Sequence, residues 1–101
     1  MSWNIVELNV IRWSEDRGII PNSTPKAQYL KACEEMSELG IALDMNDREA
    51  IIDGLGDVLV CLINIAALSD LDLKQCLSAA YEEIKDRKGH MNKDGIFVKE
   101  T

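Results

Sequence analysis

The sequence lacks the basic surface that a nucleic-acid polymer requires. It sets 11 bases against 18 acids, a formal charge of −7, which argues against non-specific binding to nucleic acid. A bound cation would reverse the sign locally, so a nucleotide substrate is compatible with this balance. Cysteine is scarce and unpatterned. Cys33, Cys61 and Cys76 are an odd number with no Cys-x-x-Cys spacing, which speaks against a disulfide framework or a zinc site and for reduced thiols in a cytoplasmic protein. No basic segment followed by an apolar stretch marks a signal peptide. The main apolar run, residues 55–68, is too short to span a bilayer comfortably and contains Asp57 and Asn64, so it reads as a buried core helix with no membrane partner. There is one histidine, His90, most simply a residue of the tail. Without internal repeats or low-complexity segments, residues 1–101 are expected to form a single domain.

What the sequence does have is a concentration of acids at its centre. Glu34, Glu35 and Glu38 fall on one expected helix, and Asp53 and Asp57 on the next. A run of Glu alone is usually a solvated helix face. Asp57 is different, being the only charged residue in its apolar run, where a carboxylate is costly unless paired or bound to a cation. Glu35 and Glu38 share a helix face, as do Asp53 and Asp57. If the two helices pack antiparallel, these faces meet, and oxygen ligands on facing helices suit a hard divalent cation such as Mg2+.

The chain reads as four helices with short connections. The first covers residues 3–17, with Trp3, Val6, Val10 and Trp13 at helical spacing and Gly18 to end it; residues 19–23 follow as a loop. Thr24-Pro25 starts a helix that runs to about Asp44, since Thr is a good N-cap and Pro is tolerated in the first turn. Asn46 and Asp47 open the third helix, Asn46 having capping-box spacing to Glu49, and it continues to about Leu68. Gly54 and Gly56 flank Leu55 between the acids, leaving room for a ligand or for close helix packing. Asp72, with Gln75, opens the fourth helix, expected to reach Lys88 with Leu73, Cys76, Leu77, Ala80 and Ile84 as its apolar stripe. Asn92 to Gly95 reads as a turn, and 96–98 as a short extended segment in an otherwise irregular tail. So small a chain leaves apolar helix faces for a partner subunit to cover.

Glu34-Glu35-x-x-Glu38 on one helix and an acidic pair ending in Asp57 on the next resembles the MazG-like all-α nucleoside triphosphate pyrophosphohydrolases. The segments 11–17, 23–25, 56–60 and 81–89 look similar too, so the resemblance covers nearly the whole chain, and is strongest to short single-domain members of the kind found in phages. It implies an all-α, four-helix bundle-like MazG fold completed by oligomerisation into a dimer or tetramer. It implies Mg2+-dependent hydrolysis of a (deoxy)nucleoside triphosphate between the α- and β-phosphates, with Mn2+ as a substitute metal. Glu35, Glu38, Asp53 and Asp57 are then the metal ligands, and Glu34 or Glu38 the group that takes the proton from water. Lys85 and Lys88 are the candidate phosphate clamp, against a plain reading as a solvated helix end. Trp3 and Trp13 are candidates for stacking on a base, Trp13 foremost, although their helical spacing makes core packing the better reading for at least one of them. One departure stands out. The usual Glu-x-x-Asp pattern would put Glu at position 54, where this chain has Gly54 preceded by Asp53. Two alternatives stay open, a phosphoribosyl-ATP pyrophosphohydrolase and a nucleotide sensor that binds without turnover.

Overall fold

The computed structural model describes residues 1–100. The chain is built from five helices and a two-stranded hairpin: α1 (Trp3–Asp16), α2 (Ile19–Asn22), α3 (Pro25–Asp44), α4 (Arg48–Leu68), α5 (Leu73–Ile84), β1 (Gly89–Met91) and β2 (Phe97–Lys99). The all-α expectation holds for everything up to the hairpin.

The helix ends follow local chemistry. Thr24 Oγ1 accepts from the Ala27 N–H at 3.1 Å, with Pro25 in the first turn of α3. Between α3 and α4 the N-cap is Asp47, whose Oδ1 accepts from the Ala50 N–H at 3.2 Å, and not Asn46. Asn46 instead takes the left-handed conformation (φ +52°). The Asn46 and Asp47 N–H groups donate back to Leu43 and Ala42, each at 3.1 Å. That is a Schellman closure of α3, and Asn tolerates the left-handed position better than most residues. Asp70 (φ +56°) repeats the arrangement after α4, with the Leu71 N–H donating to Ala66 O at 2.8 Å. Asp72 then caps α5 through the Gln75 N–H at 3.0 Å. Each connection therefore stops one helix and starts the next within a few residues, which turns α4 back along α3.

Three further features differ from the sequence reading. The loop at 19–23 contains a helical turn, α2, entered through Gly18 at φ +82° and closed by Asn22 Nδ2 donating to Gly18 O at 2.8 Å. Helix α5 ends at Ile84 and not at Lys88, because the chain beyond it is drawn into pairing: the Glu100 N–H donates to Lys88 O at 2.9 Å. The tail is not irregular but an antiparallel hairpin in the register Gly89↔Lys99, His90↔Val98, Met91↔Phe97. Its tip is held by Asn92 Oδ1, which accepts from the Asp94 and Ile96 N–H groups, both at 2.9 Å.

The buried apolar residues are Ala32, Leu39 and Ala42 of α3 and Val58, Cys61, Ile63 and Ala66 of α4. At Gly54 the helices approach so closely that an added Cβ would stand 3.2 Å from the Leu39 Cα. By length and composition α4 is apolar enough to cross a membrane, more so than the run 55–68 suggests, because residues 48–54 continue the same helix. Here it is the central helix, touched by α1, α2, α3 and α5. The apolar stripe of α5 is largely open, with Cys76, Leu77, Ala80 and Ile84 exposed and Leu73 half-buried. Helix α5 is tied at its start, where the buried Glu7 accepts from the Leu73 N–H at 3.1 Å and from the Trp3 indole at 2.8 Å.

Candidate active site

Antiparallel pairing of α3 and α4 places residues in rungs. Gln28 meets Asn64 at 3.2 Å, and seven residues further along α3 and back along α4, Glu35 and Asp57 line the same cavity. Lys31 and Cys61 lie between these rungs, and Trp13, Ile19 and Val60 complete the lining. The cavity measures about 380 Å³ and opens to solvent, a size suited to a small ligand.

Its charged end is asymmetric. Lys31 Nζ sits 3.4 Å from Glu34 and 3.5 Å from Glu35, and these two carboxylates, Glu34 foremost, hold the ammonium above its usual pKa. The Glu34 side chain is 69% exposed, whereas that of Glu35 is only 13% exposed. Glu35 Oε2 is buried without a hydrogen-bond partner. A carboxylate oxygen taken from water and left unpaired is unfavourable, so its chemistry fits an added cation or donor. Burial pushes the neighbouring Cys61 thiol up, the charge of Glu35 and, more weakly, that of Asp57 adding to the effect while Lys31 opposes it. Both carboxylates are thus felt at the same sulfur.

The other expected acids are placed differently. Asp57 is exposed where its apolar surroundings led to an expectation of burial, because it faces the open cavity and not a covered helix surface. Glu38 and Asp53 are exposed and do not line the cavity. Among the described residues no three Asp, Glu, His or Cys side chains converge as a metal-holding group. The chain therefore brings two of the four expected ligands, Glu35 and Asp57, into one cavity. Gly54 accounts for the departure at that position: it is buried against Leu39, and a side chain there would meet the Leu39 Cδ1 at 3.1 Å and its Cβ and Cα at 3.2 Å. Asp53, one residue earlier, lies on the exposed side of α4.

Trp13 lines the cavity and is 47% exposed, so it is not core packing, and the Arg17 guanidinium lies 5.4 Å from its ring centroid. Lys85 and Lys88 do not line the cavity; Lys85 pairs with Glu82 at 2.7 Å on its own helix. Sequence reasoning missed Gln28, Lys31 and Cys61 as wall residues. Their signal is periodic: Gln28, Lys31 and Glu35 follow one helix stripe, and Asp57, Cys61 and Asn64 another. Asn64 lines the cavity and bonds two neighbouring helices. Ser14 Oγ donates to its Oδ1 at 2.6 Å, and its Nδ2 donates to Gln28.

A helical hairpin with acids facing across one cavity, built on a mostly helical chain, defines a class that the sequence comparison identifies. Residues 23–92 match the MazG nucleotide pyrophosphohydrolase domain, and the chain belongs to that family. A protein of 18.2 kDa from the rep-hol intergenic region of Haemophilus phage HP1 is 34% identical over 64 residues, 63% of this chain. The aligned stretch spans 39% of that curated relative. The fold is also similar to that of a MazG-like pyrophosphohydrolase from cyanophage S-2L, solved with dGDP and three catalytic Mn2+ ions per active site. The TM-score is 0.75 at 19% identity, over 100% of this chain and 99% of that one.

Proposed function

We infer that this chain is a Mg2+-dependent pyrophosphohydrolase. It would cleave a (deoxy)nucleoside triphosphate between the α- and β-phosphates to a nucleoside monophosphate and pyrophosphate. The observation that carries this reading is the buried, unpartnered oxygen of Glu35 in one cavity with Asp57, in a chain of the MazG family. The cyanophage protein's Mn2+ ions and dGDP support a divalent metal and a nucleotide at the corresponding place.

Glu35 and Asp57 would hold the divalent cation, with Glu38, one turn beyond Glu35, and Asp53, one turn before Asp57, completing the set. The cation, when bound, supplies charge neutralisation for the phosphates and the pyrophosphate leaving group. The remaining steps belong to the chain. Trp13 and Ile19 flank the base. Lys31, already on the cavity wall, takes phosphate oxygens. Water attacks the α-phosphorus, its proton passes to a carboxylate, and the bond from that phosphorus to the bridging oxygen breaks to release pyrophosphate. Glu34 is held by Lys31, which makes Glu38 the better proton acceptor. Lys85 and Lys88 lie away from this cavity and would serve as a phosphate clamp only from a second copy, consistent with a homo-oligomer.

The test is turnover of a panel of ribo- and deoxyribonucleoside triphosphates with Mg2+, identifying the released phosphate, beside Asp57→Asn. Pyrophosphate release that falls at least about 100-fold in Asp57→Asn, a loss of about 2.7 kcal/mol of transition-state stabilisation, supports the reading. Release of single phosphate overturns it. Metal-dependent nucleotide binding without turnover makes the chain a sensor.

A further inference from the structure

The cavity that gathers Glu35 and Asp57 also holds a cation of its own. Of the residues that line it, Lys31 alone is basic. Its Nζ lies 3.5 Å from Glu35 Oε1, while Oε2 of the same carboxylate is buried without a partner. The same ammonium lies 3.4 Å from Glu34, whose side chain is largely exposed. An i,i+4 pair that served only the helix would do so equally well on an open face. Here one partner is a nearly buried carboxylate that faces a second acid across a cavity.

Two like charges do not share that carboxylate freely. A divalent cation on either oxygen of Glu35 stands within one Debye length of the ammonium, about 8 Å at physiological ionic strength, so salt screens their repulsion little. The charge of Lys31 also reaches the facing wall. Burial, and then Glu35, push the Cys61 thiol of α4 up, and Lys31 opposes them. A metal ion arriving alone therefore enters against Lys31. A polyphosphate removes that opposition, because its oxygens accept from the ammonium and offset its charge. Moving off Glu35 costs Lys31 little, since its side chain is 54% exposed and Glu34 still holds it.

We propose that Lys31 makes metal binding conditional on phosphate. It stands in for a cation beside Glu35 until the phosphates of a nucleotide draw it off, and the metal then binds at full strength. The site accordingly selects a metal together with a polyphosphate over a free divalent cation. By linkage, the metal tightens the nucleotide by the same factor as the nucleotide tightens the metal. This rests on the reading of Glu35 and Asp57 as metal ligands but not on hydrolysis.

The experiment is titration with Mn2+, read as the free-ion signal in electron paramagnetic resonance, of the wild-type protein, Lys31→Met and Lys31→Arg. Each is titrated alone and with the α,β-methylene triphosphate of each standard base, corrected for Mn2+ held by the analogue itself. Triphosphate turnover is measured beside it. Without nucleotide, Mn2+ is expected to bind roughly tenfold more tightly to Lys31→Met than to the wild type. That is the size of the repulsion between a single and a double charge about 6 Å apart in water. Lys31→Arg keeps the charge and should bind Mn2+ as the wild type does. The gain in Mn2+ affinity on adding nucleotide should be smaller in Lys31→Met by the same factor, roughly tenfold. Mn2+ binding to Lys31→Met that is unchanged or weaker, or a gain from nucleotide as large as in the wild type, overturns the proposal. If Lys31→Met does not fold, Lys31→Gln takes its place. Conditional metal binding without turnover leaves the proposal standing and removes the hydrolase reading; turnover with Mn2+ binding indifferent to Lys31 does the reverse.

Discussion

Glu35 is divided between two environments. One oxygen lies 3.5 Å from Lys31, and the other is buried with nothing to bond. Replacing the carboxylate with the amide of Gln removes a buried charge and supplies a donor. Glu35→Gln is therefore expected to keep or raise the melting temperature of the metal-free protein while losing the stabilisation by Mg2+ with nucleotide. That stabilisation should amount to about 2.7 kcal/mol at a ligand concentration 100 times Kd in the wild type. Differential scanning fluorimetry with and without metal separates the two effects, and a destabilised metal-free variant would show that the carboxylate serves the fold. At this scale the sequence was informative about charge and silent about partnership. Asp57 announces itself as the sole charge in an apolar run. Lys31 and Gln28 do not, because an exposed-looking Lys and Gln become wall residues only once α3 and α4 have a register.

That register is a property of the elements. Thr24, Asp47 and Asp72 each cap a helix in the structure, and the start of α3 was legible to the residue because Thr-Pro is a local signal. The cap of α4 was misplaced by one, since Asn46 and Asp47 are both capping residues and only the left-handed φ of Asn46 assigns them. The hairpin was half legible: its turn and second strand carry local cues, but β1 exists only through pairing with β2. Gly54 sets how closely the two long helices approach. Gly54→Ala gains helix propensity but drives a methyl group to 3.2 Å from the Leu39 backbone. The expected net effect is a loss of about 1–3 kcal/mol, the usual range for overpacking, read as a lower urea midpoint. Gly56→Ala, with open space around it, is the control and should gain a few tenths of a kcal/mol to about 1 kcal/mol. Helix α5 is anchored at its start by a residue distant in sequence. Glu7→Ala leaves the Leu73 N–H and the Trp3 indole without their acceptor. Amides in the first turns of α5 should then exchange faster in hydrogen-exchange measurements, while those of α3 and α4 are unchanged.

The whole molecule exposes 7753 Å², against about 5,700 Å² for a folded monomer of this length. Its radius of gyration is 15.9 Å, against about 13 Å for a compact domain. The excess lies where large apolar side chains face outward, including Trp3, Val6 and Leu8 on α1 and Leu77, Tyr81 and Ile84 on α5. An excess of about 2,000 Å² per chain is what each partner buries in a large, obligate interface. The expected outcome in light scattering is a dimer or tetramer, with a melting temperature that rises with protein concentration; a monomer at micromolar concentration would contradict it. The faces to be covered were legible as surplus apolar stripes, although the sequence alone does not say which helix carries them.

The tight turn at Asn46–Asp47 also has a consequence in time. The most closely packed pair in the fold, α3 with α4, is a hairpin of neighbours in sequence, and local contacts of this kind form early because little loop entropy is lost in closing them. Glu35, Asp57, Gln28 and Asn64 all lie on that hairpin. The chemistry-bearing walls are thus the first part of the molecule able to take shape as the chain leaves the ribosome, before α5 and the hairpin that follows it have been made.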